Sequence, residues 1–218
     1  MTRGDDAPVK VALFDYGAGN LHSLAKGLEA GGAEVQVTRR WEEALEREAL
    51  VLPGVGSFGA ASAALEGGEE ELRRALEEGL PCLGICLGMQ ILFPASDEAE
   101  GRGIGLLPGR VRRLRSRTVP QMGWNDVEGS EGEPRLVAYF ANSFVCEPED
   151  PATVEAWTEY EGDRFPAAMR SGRTRAFQFH PEKSSGPGLR LLREFLDEVR
   201  GARGGASRGG EPGEAGDR

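Results

Sequence analysis

Gly84-Ile85-Cys86-Leu87-Gly88 sets a cysteine between two glycines, each two residues away. It lies where one apolar run, Leu80 to Ile85, meets a second that starts at Leu87. This is the Gly-x-nucleophile-x-Gly spacing of a strand-to-helix elbow, with a thiol in the nucleophile's place. A turn that sharp brings the flanking residues together, where side chains would clash. It lifts the thiol above the strand ends and sets it at a helix N-terminus, whose dipole favours thiolate. The backbone N–H of Leu87 then points at any oxyanion formed on an attacked carbon. An inert buried cysteine at a glycine-containing strand end would fit the same five residues.

A thiol nucleophile gains from a nearby base, and the chain has two histidines, His22 and His180. His22 sits inside a helical pattern between Leu21 and Ser23 and is expected at its surface. His180 ends the strand-like run Arg175 to Phe179 and is followed by Pro181 and Glu182. Proline biases the residue before it toward extended backbone. On an extended chain, positions 180 and 182 face the same way, so Glu182 could orient the imidazole and stabilise its charged form. A solvated glutamate at an ordinary strand end is the plainer alternative. Pro53-Gly54-Val55-Gly56 closes another apolar run, and a glycine-rich turn can offer backbone N–H groups to a negative oxygen. Gly54 and Val55 are therefore candidate second donors beside Leu87. Cys82 lies within a strand pattern and is read as a small core residue. Cys146 stands in a polar segment without an evident partner.

These groups need a frame. Val9–Phe14, Val35–Val37, Ala49–Leu52 and Leu80–Ile85 read as strands. Helical patterns lie between them: Asn20, a plausible N-cap, opens one that runs to Gly31-Gly32, and Glu69–Glu78 and Leu87–Phe93 are others. Alternating strand and helix predicts an α/β fold, with a mostly parallel sheet flanked by helices on both faces. The second half is richer in strands, at Arg110–Arg115, Leu136–Phe140, Thr153–Trp157, Ala167–Arg170 and Arg175–Phe179, which adds antiparallel strands to the sheet. Leu189, Leu192, Phe195, Leu196 and Val199 form the apolar stripe of a last helix. One domain is expected over residues 8 to 200, between a loose N-terminus at 1 to 7 and a disordered tail at 201 to 218 that has no large apolar side chain.

Composition removes several classes. A net charge of −10 over 218 residues repels phosphate backbones, so nucleic acid is not an expected partner. Arg110, Arg112, Arg113, Arg115 and Arg117 cluster against that background, either as a strand with a solvated edge or as a patch facing an acidic partner or a phosphate. No run of 18 apolar residues exists, and Met1 to Lys10 lacks the apolar core of a secretory signal, so a cytoplasmic location is expected. Three cysteines without paired spacing argue against a disulfide framework. Two histidines without metal-ligand spacing argue against a metal site, and no cofactor is expected.

Leu83 to Gln90 resembles the nucleophile motif of triad-type, or class I, glutamine amidotransferases, and Phe179-His180-Pro181-Glu182 resembles their His-Pro-Glu motif. Asp15-Tyr16-Gly17-Ala18-Gly19-Asn20-Leu21, Pro120 to Asn125 and His180 to Ser184 are similar to stretches of the branch that serves histidine biosynthesis, the glutaminase subunits of imidazole glycerol phosphate synthases. Together they cover roughly Val9 to Arg200. The resemblance implies hydrolysis of glutamine by Cys86, His180 and Glu182. The ammonia would pass to a (β/α)8-barrel cyclase held as a heterodimer partner. It also implies that Gln90 contacts glutamine, that the backbone of Ser143 and Phe144 holds the amino-acid end, and that Asn20, Gln121, Trp124, Asn125 and Lys183 lie toward the cyclase. Asn142-Ser143-Phe144 stands where the family commonly has His-Ser-Tyr, which spares a backbone role alone. Amidotransferases serving anthranilate, GMP or pyridoxal phosphate synthesis are the alternative within the superfamily. A silent regulatory scaffold is the alternative outside it.

Overall fold

Strands buried on both faces must be apolar throughout, and the short apolar runs of the first half meet that condition. In the computed structural model, which describes residues 7–17, 19–129 and 134–206, the chain begins β1 (Val9–Phe14), α1 (His22–Ala30), β2 (Ala33–Thr38), α2 (Trp41–Leu45), β3 (Ala49–Leu52), α3 (Phe58–Leu65), α4 (Glu69–Glu77), β4 (Cys82–Ile85) and α5 (Leu87–Gln90). It continues β5 (Gly109–Arg113), β6 (Gln121–Gly129), β7 (Pro134–Asn142), β8 (Phe144–Pro148), β9 (Val154–Tyr160), β10 (Asp163–Ser171), β11 (Thr174–Phe177) and α6 (Ser185–Ala206). A nine-stranded sheet has the order β2-β1-β3-β4-β11-β10-β9-β6-β7, and β5 pairs with β8 separately. Pairing is parallel from β2 to β11 and antiparallel from β11 to β7.

Alternation along β1 divides the core in two. Val11 and Leu13 join Leu24 and Leu28 of α1 and Leu192, Phe195 and Leu196 of α6 on one face. Ala12 and Phe14 join Phe58 and Leu65 of α3 and Leu72 and Leu76 of α4 on the other. Burying each such leucine or phenylalanine contributes about 1.5–3 kcal/mol. The helices therefore cover both faces, as alternating strand and helix predicts. Among the described residues no helix is long and apolar enough to cross a membrane.

Several boundaries differ from expectation. The last helix continues past Arg200 to Ala206, while residues 1–6 and 207–218 lie outside the described residues. The helix expected over Leu87–Phe93 is the single turn Leu87–Gln90, so its dipole is small. β6 and β8 were not expected as strands, because neither shows clean apolar alternation: Met122 and Trp124 are exposed on β6, and β8 ends in Glu147-Pro148. Cys146, read as part of a polar segment, lies on β8 and is buried. Three of the five clustered arginines, Arg110, Arg112 and Arg115, are paired with carboxylates. Arg112 donates to both carboxylate oxygens of Asp163 at 2.7 and 2.8 Å and to Glu147 at 3.1 Å, and Arg110 donates to Asp97 at 2.9 Å. Arg115 also donates to Glu147, at 3.3 Å.

Candidate active site

The topology sets the carboxyl ends of three parallel strands side by side. β3 leads into Pro53-Gly54, β4 into Cys86, and β11 into Gln178, Phe179 and His180. In open α/β sheets, such ends are where ligands collect.

Cys86 has φ 48° and ψ −103°, a strained backbone for a non-glycine residue at about 1–3 kcal/mol. Its N–H is held by the Phe177 carbonyl at 2.6 Å. A Cβ on Gly84 would lie 2.7 Å from the Gly88 carbonyl oxygen, and one on Gly88 would run into the Leu52 carbonyl. The two glycines are thus required by close backbone approach. The elbow also overrides strand alternation. Cys82 packs with Leu50 and Leu52 on one face, whereas Cys86 groups with Leu83 and Ile85 on the other. Burial pushes the thiols of Cys82 and Cys146 up, while Cys86 lines an open cleft.

His180 precedes a short 3-10 turn, Pro181–Lys183, rather than an extended segment. The turn brings Glu182 Oε1 to 2.8 Å from His180 Nδ1, so the expected contact forms by a different backbone path. Burial alone would lower the basicity of His180. Its hydrogen bonds to Cys86 and Glu182, and their negative charge, outweigh that and raise it to about 9. The imidazole is therefore protonated at neutral pH. A Cβ on Gly54 would come within 2.8 Å of both Cys86 Cβ and His180 Cε1, so glycine there permits their approach. The His180 N–H donates to Tyr139 O at 2.9 Å. Ser184 Oγ donates to His180 O at 2.6 Å and accepts from Tyr139 N–H at 2.9 Å.

The cleft holds about 200 Å³. Gly54, Gly56 and Leu87 line it next to Cys86. Leu87 begins its helix, so its N–H has no acceptor within it. Val55 is not part of the wall, and its side chain packs against Gly19. The rest of the wall is Gln90, Glu98 and Ala141 to Phe144. Gln90 Nε2 donates to Phe144 O at 2.9 Å and to Gln178 Oε1 at 3.3 Å. With both N–H groups committed, Gln90 offers a ligand only its carbonyl oxygen. Glu98 was missed by sequence reasoning. It sits in a coil, reaches back to accept from Phe58 N–H at 2.9 Å, and brings a carboxylate to the cleft. Gln178 was also missed. Its only local signal is a polar residue between Phe177 and Phe179, yet it is fully buried, with Nε2 3.6 Å from Cys86 Sγ.

The residues expected to face a partner divide. Trp124 is 55% exposed and meets the Tyr139 ring edge-on at 6.1 Å, while Lys183 stands 5.9 Å above that ring. Asn20 is exposed, and its Oδ1 accepts from His22 N–H at the start of α1. Gln121 is buried instead, with both carboxamide atoms unpartnered among the described residues. Asn125 spends its amide internally, on Thr158 Oγ1 and Glu159 O. A thiol paired with an imidazolium, a carboxylate behind it and N–H donors in front comprise the parts needed for nucleophilic acyl transfer.

The family model described as "Glutamine amidotransferase class-I" matches residues 12–199. A Thermus thermophilus protein named imidazole glycerol phosphate synthase subunit HisH is 48% identical over 190 residues, which is 84% of this chain and 95% of that one. A protein of the same name from Gloeothece citriformis is 41% identical over 203 residues, 87% and 96% of the two chains. Among solved structures, one described as PurLQS from Thermotoga maritima superposes with a TM-score of 0.71 at 21% identity, covering 88% of this chain and 99% of that one. A glutamine amidotransferase crystal structure gives 0.70 at 24% identity, covering 88% and 98%. These two likenesses concern the fold.

Proposed function

This chain belongs to the class-I glutamine amidotransferase family, and from that premise we propose that it is the glutaminase subunit of an imidazole glycerol phosphate synthase. It hydrolyses glutamine to glutamate and ammonia, and hands the ammonia to a (β/α)8-barrel cyclase partner in histidine biosynthesis. The observation that carries the reading is Cys86 beside a protonated His180, itself bonded to Glu182, in the wall of an open cleft. Relatives named for that synthase at 41–48% identity support the choice within the family. Three free thiols suit a reducing compartment, in keeping with a cytosolic enzyme.

The chemistry follows from the groups. Cys86 thiolate attacks the side-chain carboxamide carbon of glutamine, and the carbonyl π pair moves onto oxygen. The N–H groups of Leu87 and of Gly54 or Val55 receive that oxyanion. As the tetrahedral adduct collapses, the C–N bond breaks and imidazolium His180 gives its proton to the departing nitrogen, releasing ammonia and leaving a thioester. Neutral His180 then takes a proton from water as it adds to the thioester. Collapse breaks the C–S bond and restores the thiolate–imidazolium pair with glutamate as product. Glu182 keeps the Nδ1–H fixed throughout. Glu98, the one carboxylate in the cleft wall among the described residues, suits the substrate's α-ammonium; the Gln90 carbonyl and the backbone of Ser143 and Phe144 hold the rest. The exposed face of β6 and β7, with Met122, Trp124 and Tyr139 beside Lys183, is the surface offered to the cyclase, and Asn20 extends it. Asn125 ties that hairpin to the neighbouring strand through Thr158 and Glu159.

The test is Cys86→Ser in the complex with the cyclase. Glutamine-dependent synthesis falls by about a thousandfold or more, while synthesis from added ammonia persists. Retention of glutamine-dependent turnover above roughly one per cent would remove Cys86 as the nucleophile.

A further inference from the structure

Gln178 is fully buried behind Cys86, contributes nothing to the cleft wall, and has no part in the chemistry above. Its hydrogen bonds have a direction that can be derived. The Phe144 carbonyl only accepts, so Gln90 must turn its NH2 toward it. The second hydrogen of that NH2 reaches Gln178, which must meet it with Oε1. The remaining end of the Gln178 carboxamide, its NH2, is thereby forced to face Cys86 Sγ at 3.6 Å. A main-chain carbonyl thus sets the polarity of a relay that ends in an N–H donor at the sulphur.

We propose that Gln178 is a positioning residue that fixes Cys86 Sγ in place and favours the thiolate it forms on reaction by donating to it, with its direction imposed by Phe144 through Gln90. A buried thiolate without hydrogen bonds beyond its imidazolium carries an uncompensated desolvation cost. One N–H aimed at sulphur answers part of it, and hydrogen bonds to charged groups are the stronger kind. The titratable groups around the sulphur are His180 with Glu182 behind it, Glu98 across the cleft and Cys146 on β8; all are left unaltered by changes at position 178. The link to Gln90 rests on the glutaminase reading, whereas the donation to sulphur does not.

The experiment follows the iodoacetamide alkylation rate of Cys86 against pH, together with glutamate release, in wild type, Gln178→Met, Gln178→Glu and Gln90→Met. Gln178→Met keeps volume and loses the donor, so the pH of half-maximal alkylation rises by about one unit and kcat falls about tenfold, more than KM rises. Gln178→Glu places a carboxylate at the sulphur and raises the midpoint further; it serves alone if the methionine variant fails to fold. Gln90→Met removes the group that fixes the direction of the Gln178 carboxamide, so it raises KM and also raises the midpoint, by less than Gln178→Met does. An unchanged midpoint in the Gln178 variants overturns the donor role, and an unchanged midpoint in Gln90→Met overturns the imposed direction. If the midpoints shift as expected in a chain that never hydrolyses glutamine, the donor role stands and the proposed function fails.

Discussion

Cys82, Cys86 and Cys146 carry the same thiol into three different surroundings. Two are sealed in the core, where burial pushes them toward the neutral form, and one lines the cleft beside an imidazolium. We predict that iodoacetamide labels Cys86 and leaves the other two untouched until the chain unfolds. Peptide mapping that found Cys82 or Cys146 modified in the native protein would contradict the assignment. His180 sets a second expectation. Its folded value of about 9 means that the proton it gives to the leaving nitrogen is present at neutral pH and lost as pH rises through 9. Glutamine hydrolysis then declines on an alkaline limb near that pH, and Glu182→Gln, by removing one of the groups that raise His180, moves the limb toward lower pH. A limb that stayed put in Glu182→Gln would refute the role of the carboxylate. The elbow and the His-Pro-Glu stretch are readable from sequence because each is local. Gln178 and Glu98 are not, because they act across 92 and 40 residues of chain.

Among the elements, the elbow between β4 and α5 has the least room. Gly88 faces the Leu52 carbonyl of β3, a main-chain atom held in the sheet that cannot swing aside. Gly88→Ala is expected to cost about 1–3 kcal/mol by overpacking, a fall in Tm of roughly 2–12 °C for a domain of this size. It also displaces Cys86 enough to slow its alkylation. A variant that melted and reacted like wild type would show that the close approach is not needed. Glycine spacing conveyed this turn at once. The 3-10 turn after His180 was not conveyed, because Pro181 favours extended backbone only in the residue before it, and the helical winding of the next three residues is fixed by Ser184, whose hydroxyl ties His180 to Tyr139. β6 and β8 escaped notice for another reason: each presents a partly exposed or charged face, so the usual two-residue alternation is broken.

At the level of the whole chain, the parallel half follows from alternating strand and helix, but the place of β11 does not. A strand from the far end of the sequence inserts beside β4, pairing Phe177 with Ile85, and only that pairing carries His180 to Cys86. Local pattern holds no record of such a return. The small β5–β8 sheet is joined to the large one by Arg112 on β5 and Asp163 at the head of β10. Burial alone would raise the Asp163 carboxyl, but the bidentate bond from Arg112 and the Arg115 N–H hold it below the usual range. Asp163→Ala strands a buried guanidinium with Glu147 as its remaining carboxylate, and a loss of about 3 kcal/mol is expected. That corresponds to a fall in Tm of roughly 6–12 °C. A loss under about 1 kcal/mol would mean that the joint is not held by this pair.

The wall from Asn142 to Phe144 offers a main-chain acceptor to its neighbours. Phe144 O takes hydrogen bonds from the side chains of Gln90 and Asn142, and every residue type possesses that oxygen. A side-chain exchange at position 144 thus leaves this acceptor in place, whereas one at 142 or 90 removes a donor to it.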